Sequence, residues 1–215
     1  MMFSYPFAFI GLWVFAFVLA AVTALLEIQI EGANGWAKDL PTWRYAPKWV
    51  LTFMNGKDFT GYHLYLNLHM LVFFHLPVLF LGWSAYIEFT ILSISCACLL
   101  VEDFLWFVLN QHFGWQSFMK TKVSWYKQWI GPFPIDYYFW LFVSGFLAYL
   151  RGLCSGASPD PSLSQFTLPV QHLIGWFVGF LICVVLIFMT SAVMTRRIAR
   201  FLAQDTLPHP GHPHA

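Results

Sequence analysis

Two adjacent carboxylates, Glu102 and Asp103, interrupt the apolar run Val101-Glu-Asp-Phe-Leu-Trp-Phe-Val-Leu-Asn110. An ionisable group near the centre of a membrane helix costs roughly 2.5–3.5 kcal/mol by insertion scales, so such groups are retained for a partner or a function. Successive residues of a helix point about 100° apart, so Glu102 and Asp103 must address different neighbours, whereas Asp103 and Asn110 share a face. A second acidic pair, Glu27 and Glu31, is four residues apart and lies on one helical face with Ala16, Ala20 and Ala24. Small residues at that spacing face another helix. A third group is basic: His63, His69 and His75, with Asn67 beside His63. Steps of six residues rotate the side chain by about 240°, so one helix cannot aim all three histidines at one ion. A lone histidine in an apolar helix more often packs and hydrogen-bonds than ligates.

Depth connects these groups. Counting about 1.5 Å per residue from the helix ends puts Glu102, Asp103 and His69 roughly 10–12 Å deep on two antiparallel neighbours, with Glu27, Glu31 and His63 above them. Histidine and carboxylates converging in a low-dielectric space suit Fe, Mn or Zn, and they also suit a proton relay. The candidate metal-binding set is therefore Glu27, Glu31, His63, His69, Glu102 and Asp103. Their spacing matches neither the Glu-x-x-His pairs of di-iron bundles nor the HExxH zinc signature. On the opposite side, His75 and His172, near Glu88, are a candidate pair of axial ligands for haem. His209, His212 and His214 lie in a His- and Pro-rich tail, 203–215, of a composition found in metal-binding ends.

The elements that must carry these residues are membrane helices. Of the 215 residues 59% are hydrophobic and only 10% are charged, against about a quarter in soluble domains. Five apolar runs stand out: 5–31, with its core at Tyr5–Leu26, then 62–82, 85–109, 135–150 and 169–194. They are continuous rather than alternating, which argues against a β-barrel and predicts an all-α integral membrane bundle in one domain, without a separate soluble unit. The first run lacks a basic leader and a cleavage signal and reads as a retained helix. Four cysteines, Cys96, Cys98, Cys154 and Cys183, form no CxxC pair or disulfide framework. Gly175-x-x-x-Gly179, extended by Cys183, makes a smooth stripe for contact within the chain or with another subunit.

Charge sets the orientation. Lys38, Arg44, Lys48 and Lys57 lie in the 32–60 connection, Lys120, Lys122 and Lys127 in 110–134, and Arg196, Arg197 and Arg200 after the last run; only Arg151 lies opposite. With five crossings this bias predicts an outside N-terminus and a cytoplasmic C-terminus in a bacterial inner membrane. Trp36, Trp43, Trp49, Trp115, Trp125 and Trp129 suit an interfacial belt on the same side, and 32–60 reads as an interfacial loop. Near-neutral net charge argues against a nucleic-acid partner.

The strings Glu27-Ile-Gln-Ile-Glu-Gly-Ala-Asn-Gly-Trp-Ala-Lys-Asp-Leu-Pro-Thr-Trp-Arg44, Thr60-Gly-Tyr-His63 and Glu102-Asp-Phe-Leu-Trp-Phe-Val-Leu-Asn110 resemble those of a family of small multi-pass bacterial membrane proteins without an assigned activity. The resemblance covers roughly the first two thirds of the chain and implies a membrane fold but no reaction.

Three functions meet these constraints. The first is a cytoplasm-facing His/carboxylate cavity that binds a metal or acts on a membrane-dissolved substrate. The second is a non-catalytic accessory or scaffold subunit of a respiratory or photosynthetic complex. The third is a haem-binding or proton-coupled membrane protein. Expected partners are membrane lipids and either other membrane subunits or further copies of the chain.

Overall fold

The computed structural model describes residues 5–113, 118, 123–155 and 168–205, with backbone alone for 5–8 and 192–205. Trp115, Lys120, Lys122 and the tail from 206 onward, with its three histidines, lie outside the described residues. Among the described residues, seven helices and two short strand pairs occur in the order α1 Tyr5–Glu31, β1 Arg44–Tyr45, α2 Lys48–Phe53, β2 Phe59–Thr60, α3 Gly61–Phe74, α4 Leu76–Leu81, α5 Ala85–Leu109, β3 Trp129–Ile130, β4 Phe133–Pro134, α6 Ile135–Leu153 and α7 Pro169–Asp205. The expected all-α class holds. Among the described residues, four segments are long and apolar enough to cross a membrane: Phe9–Glu31, Gly61–Leu81, Ala85–Leu109 and Pro169–Ser191. Their outward faces are apolar (Val18, Val22, Leu79, Phe80, Val185 and Phe188 are all exposed), a surface suited to lipid rather than water.

α5 is the central helix, with α1, α6 and α7 packed around it. The alanine stripe of α1 does what its spacing predicts: Ala16, Ala20 and Ala24 are almost fully buried, and the absence of bulk lets Cys98 Sγ reach the Ala16 carbonyl at 3.3 Å. The glycine stripe of α7 is used within the chain. A Cβ at Gly179 would strike the Trp13 indole, and Cys183 Sγ approaches the Trp13 carbonyl at 3.7 Å. A polar knot joins α5, α6 and α7: Ser93 and Ser144 each donate to the other's carbonyl, at 2.8 and 2.6 Å, and Trp176 Nε1 donates to Ser144 Oγ at 2.9 Å.

The run 62–82 is one path but two helices. Pro77 lies in the first turn of α4, and the helical bonding breaks at His75. The stretch 32–60 is not a bare loop. β1 and β2 pair antiparallel, with Arg44 opposite Thr60 and Tyr45 opposite Phe59, and Thr60 then caps α3. The expected helix 135–150 extends to Leu153 and the expected helix 169–194 to Asp205. All four cysteines are free.

Residues 32–60 and the described residues of 110–134 cover the same end of the bundle. Asn110 Nδ2 donates to the Gly32 carbonyl at 2.9 Å. Asn55 holds the two connections together much as a strand would: its Nδ2 donates to the Gln128 carbonyl at 2.9 Å, and its Oδ1 accepts from Gln128 N–H at 2.6 Å. Asn55 is buried and left-handed, with φ of +52°, a conformation that asparagine tolerates better than most residues.

Candidate metal centre

The covered end encloses a polar chamber, and each side chain in it is placed by an element end. α1 stops after Glu31 because Gly32 turns left-handed, φ +63°, and returns its N–H to the Ile28 carbonyl at 2.8 Å. Glu31 is thus the last helical residue, four after Glu27, and both carboxylates are buried on the inner face. His63 enters from α3. The Thr60 hydroxyl accepts the His63 backbone N–H at 3.2 Å as an N-cap, and it also meets His63 Nδ1 at 2.7 Å. With Nδ1 protonated and donating to Thr60, Nε2 presents its lone pair to the carboxylates. Such a partner on the far ring nitrogen is the usual support of a metal-binding histidine.

Nε2 of His63 lies 3.7 Å from Glu27 Oε1 and 3.6 Å from Glu31 Oε1. One donor atom from each of the three residues falls within 4.8 Å of the others. An ion about 2.0–2.2 Å from nitrogen and oxygen donors sets its donors roughly 3–4 Å apart, so small side-chain adjustments would close the set around one ion. Glu102 completes the acidic wall. It is 7% exposed, its carboxyl lies within hydrogen-bond reach of Glu27, and its Oε1 has no hydrogen-bond partner among the described residues. Two buried carboxyl groups at one histidine, with a third beside Glu27, call for a cation or protons.

The first connection supplies a lid. Trp36 and Ala37 are left-handed, φ +58° and +49°, a strained geometry for residues with side chains. It brings the Trp36 ring onto the His63 imidazole, with centroids 4.0 Å apart and planes 17° from parallel. It also aims the Ala37 N–H at Glu31 Oε1, to which it donates. Trp36 Nε1 is anchored on Asp58, and Asp58 pairs with Arg44 at 2.8 Å.

Asp103 stands at the wall of the same cavity, engaged by donors of its own. It accepts from Tyr126 Oη at 2.9 and 3.0 Å and from Tyr137 Oη. Those donors already hold its oxygens, so Asp103 is not in the three-residue donor set. Burial, and then the Asp103 charge, push the Tyr126 phenol well above its usual range, so it remains a donor. Lys57 lies against the Tyr126 and Trp36 rings, 4.1 and 4.6 Å from their centroids, and pairs with Asp136 at 2.6 Å. None of Lys57, Asp136, Tyr126, Tyr137, Trp36 and Thr60 stands out from local sequence as a site residue. The one local signal is the Ser/Thr N-cap pattern before α3.

His69 does not join the site. Depth placed it there, but its azimuth turns it outward and it is exposed, so the candidate set loses that residue. The structure gives the candidate haem pair, His75 and His172, other contacts. Both ring nitrogens of His75 are engaged, Nδ1 with the Leu71 carbonyl at 2.7 Å and Nε2 with Glu88 at 3.3 Å. His172 is buried against α6, where a Cβ on Gly152 would already crowd its ring. No family model, curated protein or solved structure matches the chain.

Proposed function

We propose that the chain is a five-crossing inner-membrane protein that binds a divalent first-row metal, Fe, Mn or Zn, at Glu27, Glu31 and His63. Glu102 stands beside them as a further ligand or proton carrier. The site faces the cytoplasm and serves a membrane-dissolved substrate. α6 is the fifth crossing; its 19 residues span about 28 Å. The observation that carries the reading is the convergence of one imidazole and two carboxylates within 4.8 Å, beside a buried carboxyl oxygen with no partner among the described residues. Oxygen donors with a single imidazole suit borderline and harder ions rather than copper(I). Three protein donors and an unused direction are the pattern of catalytic rather than structural sites.

The test is elemental analysis of the purified full-length protein after loading with each metal, alongside Glu31→Gln, His63→Ala and Asp103→Asn. Equimolar metal in the wild type and in Asp103→Asn, lost in the other two, supports the assignment. A wild type that takes up no metal, or equal uptake by all four proteins, overturns it. Protons compete for every donor, so affinity should fall as pH is lowered.

A proton-transfer role is favoured by one observation, the side-by-side carboxyls of Glu27 and Glu102. Proton flux in proteoliposomes that is lost in Glu102→Gln without metal present would move the assignment to that reading.

A further inference from the structure

Through its middle, α5 is enclosed by its neighbours except along one stripe. Between Ile91 and Asp103 the residues that keep partial exposure are Leu92, Cys96, Leu99 and Asp103. They recur at helical spacing and so share one face, and the stripe runs about 16 Å at the helical rise. It floors a cleft. α3 forms one wall and the start of α6 the other, and the cleft continues to Glu27, Glu31 and His63. Both walls pack on α5, while the packing between them is slight.

Among the described residues, the cleft is covered at its polar end and open at its side. Over the polar end, Trp36 lies on His63, Lys57 ties the first connection to Asp136 of α6, and Asn55 ties it to Gln128. The side rim keeps its surface: Asn67 and Leu68 on α3, and Phe139 and Trp140 on α6, line the cleft and are exposed. Counted from the covered ends of their helices, Leu68 is about 10 Å deep and Trp140 about 8 Å. α3 belongs to a segment apolar and long enough to cross a membrane, and Val72 and Phe142, on the same two helices, are exposed and apolar. The opening therefore faces bilayer hydrocarbon. Water against Leu92 and Leu99 would cost about 25 cal/mol per Å² of apolar surface, a cost that hydrocarbon avoids. A lipid of that leaflet is also oriented as the cleft is, polar at the covered end and apolar toward the bilayer centre.

We propose that the cleft between α3 and α6 is a lateral portal, through which the hydrocarbon chain of a membrane lipid enters from the leaflet and lies along Leu92, Cys96 and Leu99, with the lipid's polar end toward Glu27, Glu31 and His63. The inference rests on that cluster being the functional site and on α6 crossing the membrane. It names the route by which the substrate arrives and the class, a chain-bearing lipid, to which it belongs.

The experiment uses the full chain in proteoliposomes of phosphatidylcholine that carries a diazirine in one acyl chain, with the adducts located by mass spectrometry. Adducts should form on the floor, at Leu92, Cys96 or Leu99, as well as on the outward-facing Val185 and Phe188. Leu99→Trp fills the cleft from its floor and should remove the adducts at Leu92 and Cys96 while leaving those at Val185 and Phe188. Phe139 meets Phe53 at a corner of the rim, with ring centroids 6.1 Å apart and planes 79° from parallel; Phe139→Ala opens that corner and should raise the floor adducts. Adducts confined to the outward faces overturn the proposal. So do floor adducts unchanged in Leu99→Trp, floor adducts that do not rise in Phe139→Ala, or equal labelling of the floor by a short, water-soluble diazirine carboxylate. Metal is measured on the same samples after loading with zinc. Equimolar metal without floor adducts overturns the portal alone, and floor adducts without metal overturn the metal assignment alone.

Discussion

Histidine meets carboxylate at both ends of this bundle, and the two meetings are built differently. At one end His63 stands before Glu27 and Glu31 with its far nitrogen on Thr60, a tryptophan across its face and a cavity beyond it. At the other, His75 spends one nitrogen on the Leu71 carbonyl and the other on Glu88, and their side chains are 32% and 28% exposed. The second arrangement is a local ion pair in reach of water and is worth little. The first removes charge from water, so it requires compensation, which the proposed cation would supply. Residue type is common to both; what differs is burial and the direction in which each free nitrogen points.

The sharpest way to break this comparison is to remove each histidine in turn. His63→Ala should lower metal affinity by more than the ~10–100-fold lost when a supporting partner is removed, while His75→Ala should leave it unchanged in the same competition titration. Next in size is Lys57. Lys57→Met leaves Asp136 buried without its partner and should destabilise the detergent-solubilised protein by about 3–5 kcal/mol, whereas Lys57→Met with Asp136→Leu should recover most of that loss in thermal unfolding. Asn55→Ala removes the clasp between the two connections and should cost about 1–3 kcal/mol, read as faster amide exchange in 32–60 and 123–134. Smallest is Glu88→Gln, expected to change stability by less than about 1 kcal/mol. A larger loss there would erase the distinction between the two ends.

Much of the bundle is legible in sequence because membrane helices are specified locally, by runs of apolar residues. The Ala16, Ala20 and Ala24 stripe and the i,i+4 pair Glu27 and Glu31 declare their face through helical geometry alone. The divergence of Glu102 from Asp103 is equally local, and the structure sends one to Glu27 and the other to Tyr126 and Tyr137. His69 shows the limit of counting depth without azimuth: a residue at the right height can face away. The lid was not legible. Trp36, Lys57 and Tyr126 arrive on connections whose paths depend on left-handed turns at Trp36, Ala37 and Asn55 and on the pairing of Arg44 with Thr60. No residue period announces such contacts. His75 and His172 illustrate the converse: residue type suggests a pairing, while the structure gives both ring nitrogens of His75 other partners.

X-ray absorption at the zinc edge of the zinc-loaded protein tests the central claim most directly. One imidazole nitrogen and carboxylate oxygens at about 2.0–2.2 Å, with the imidazole signature lost in His63→Ala and kept in His75→Ala, is the predicted spectrum. Sulfur at about 2.3 Å, more than one imidazole, or a spectrum indifferent to His63 would contradict the site.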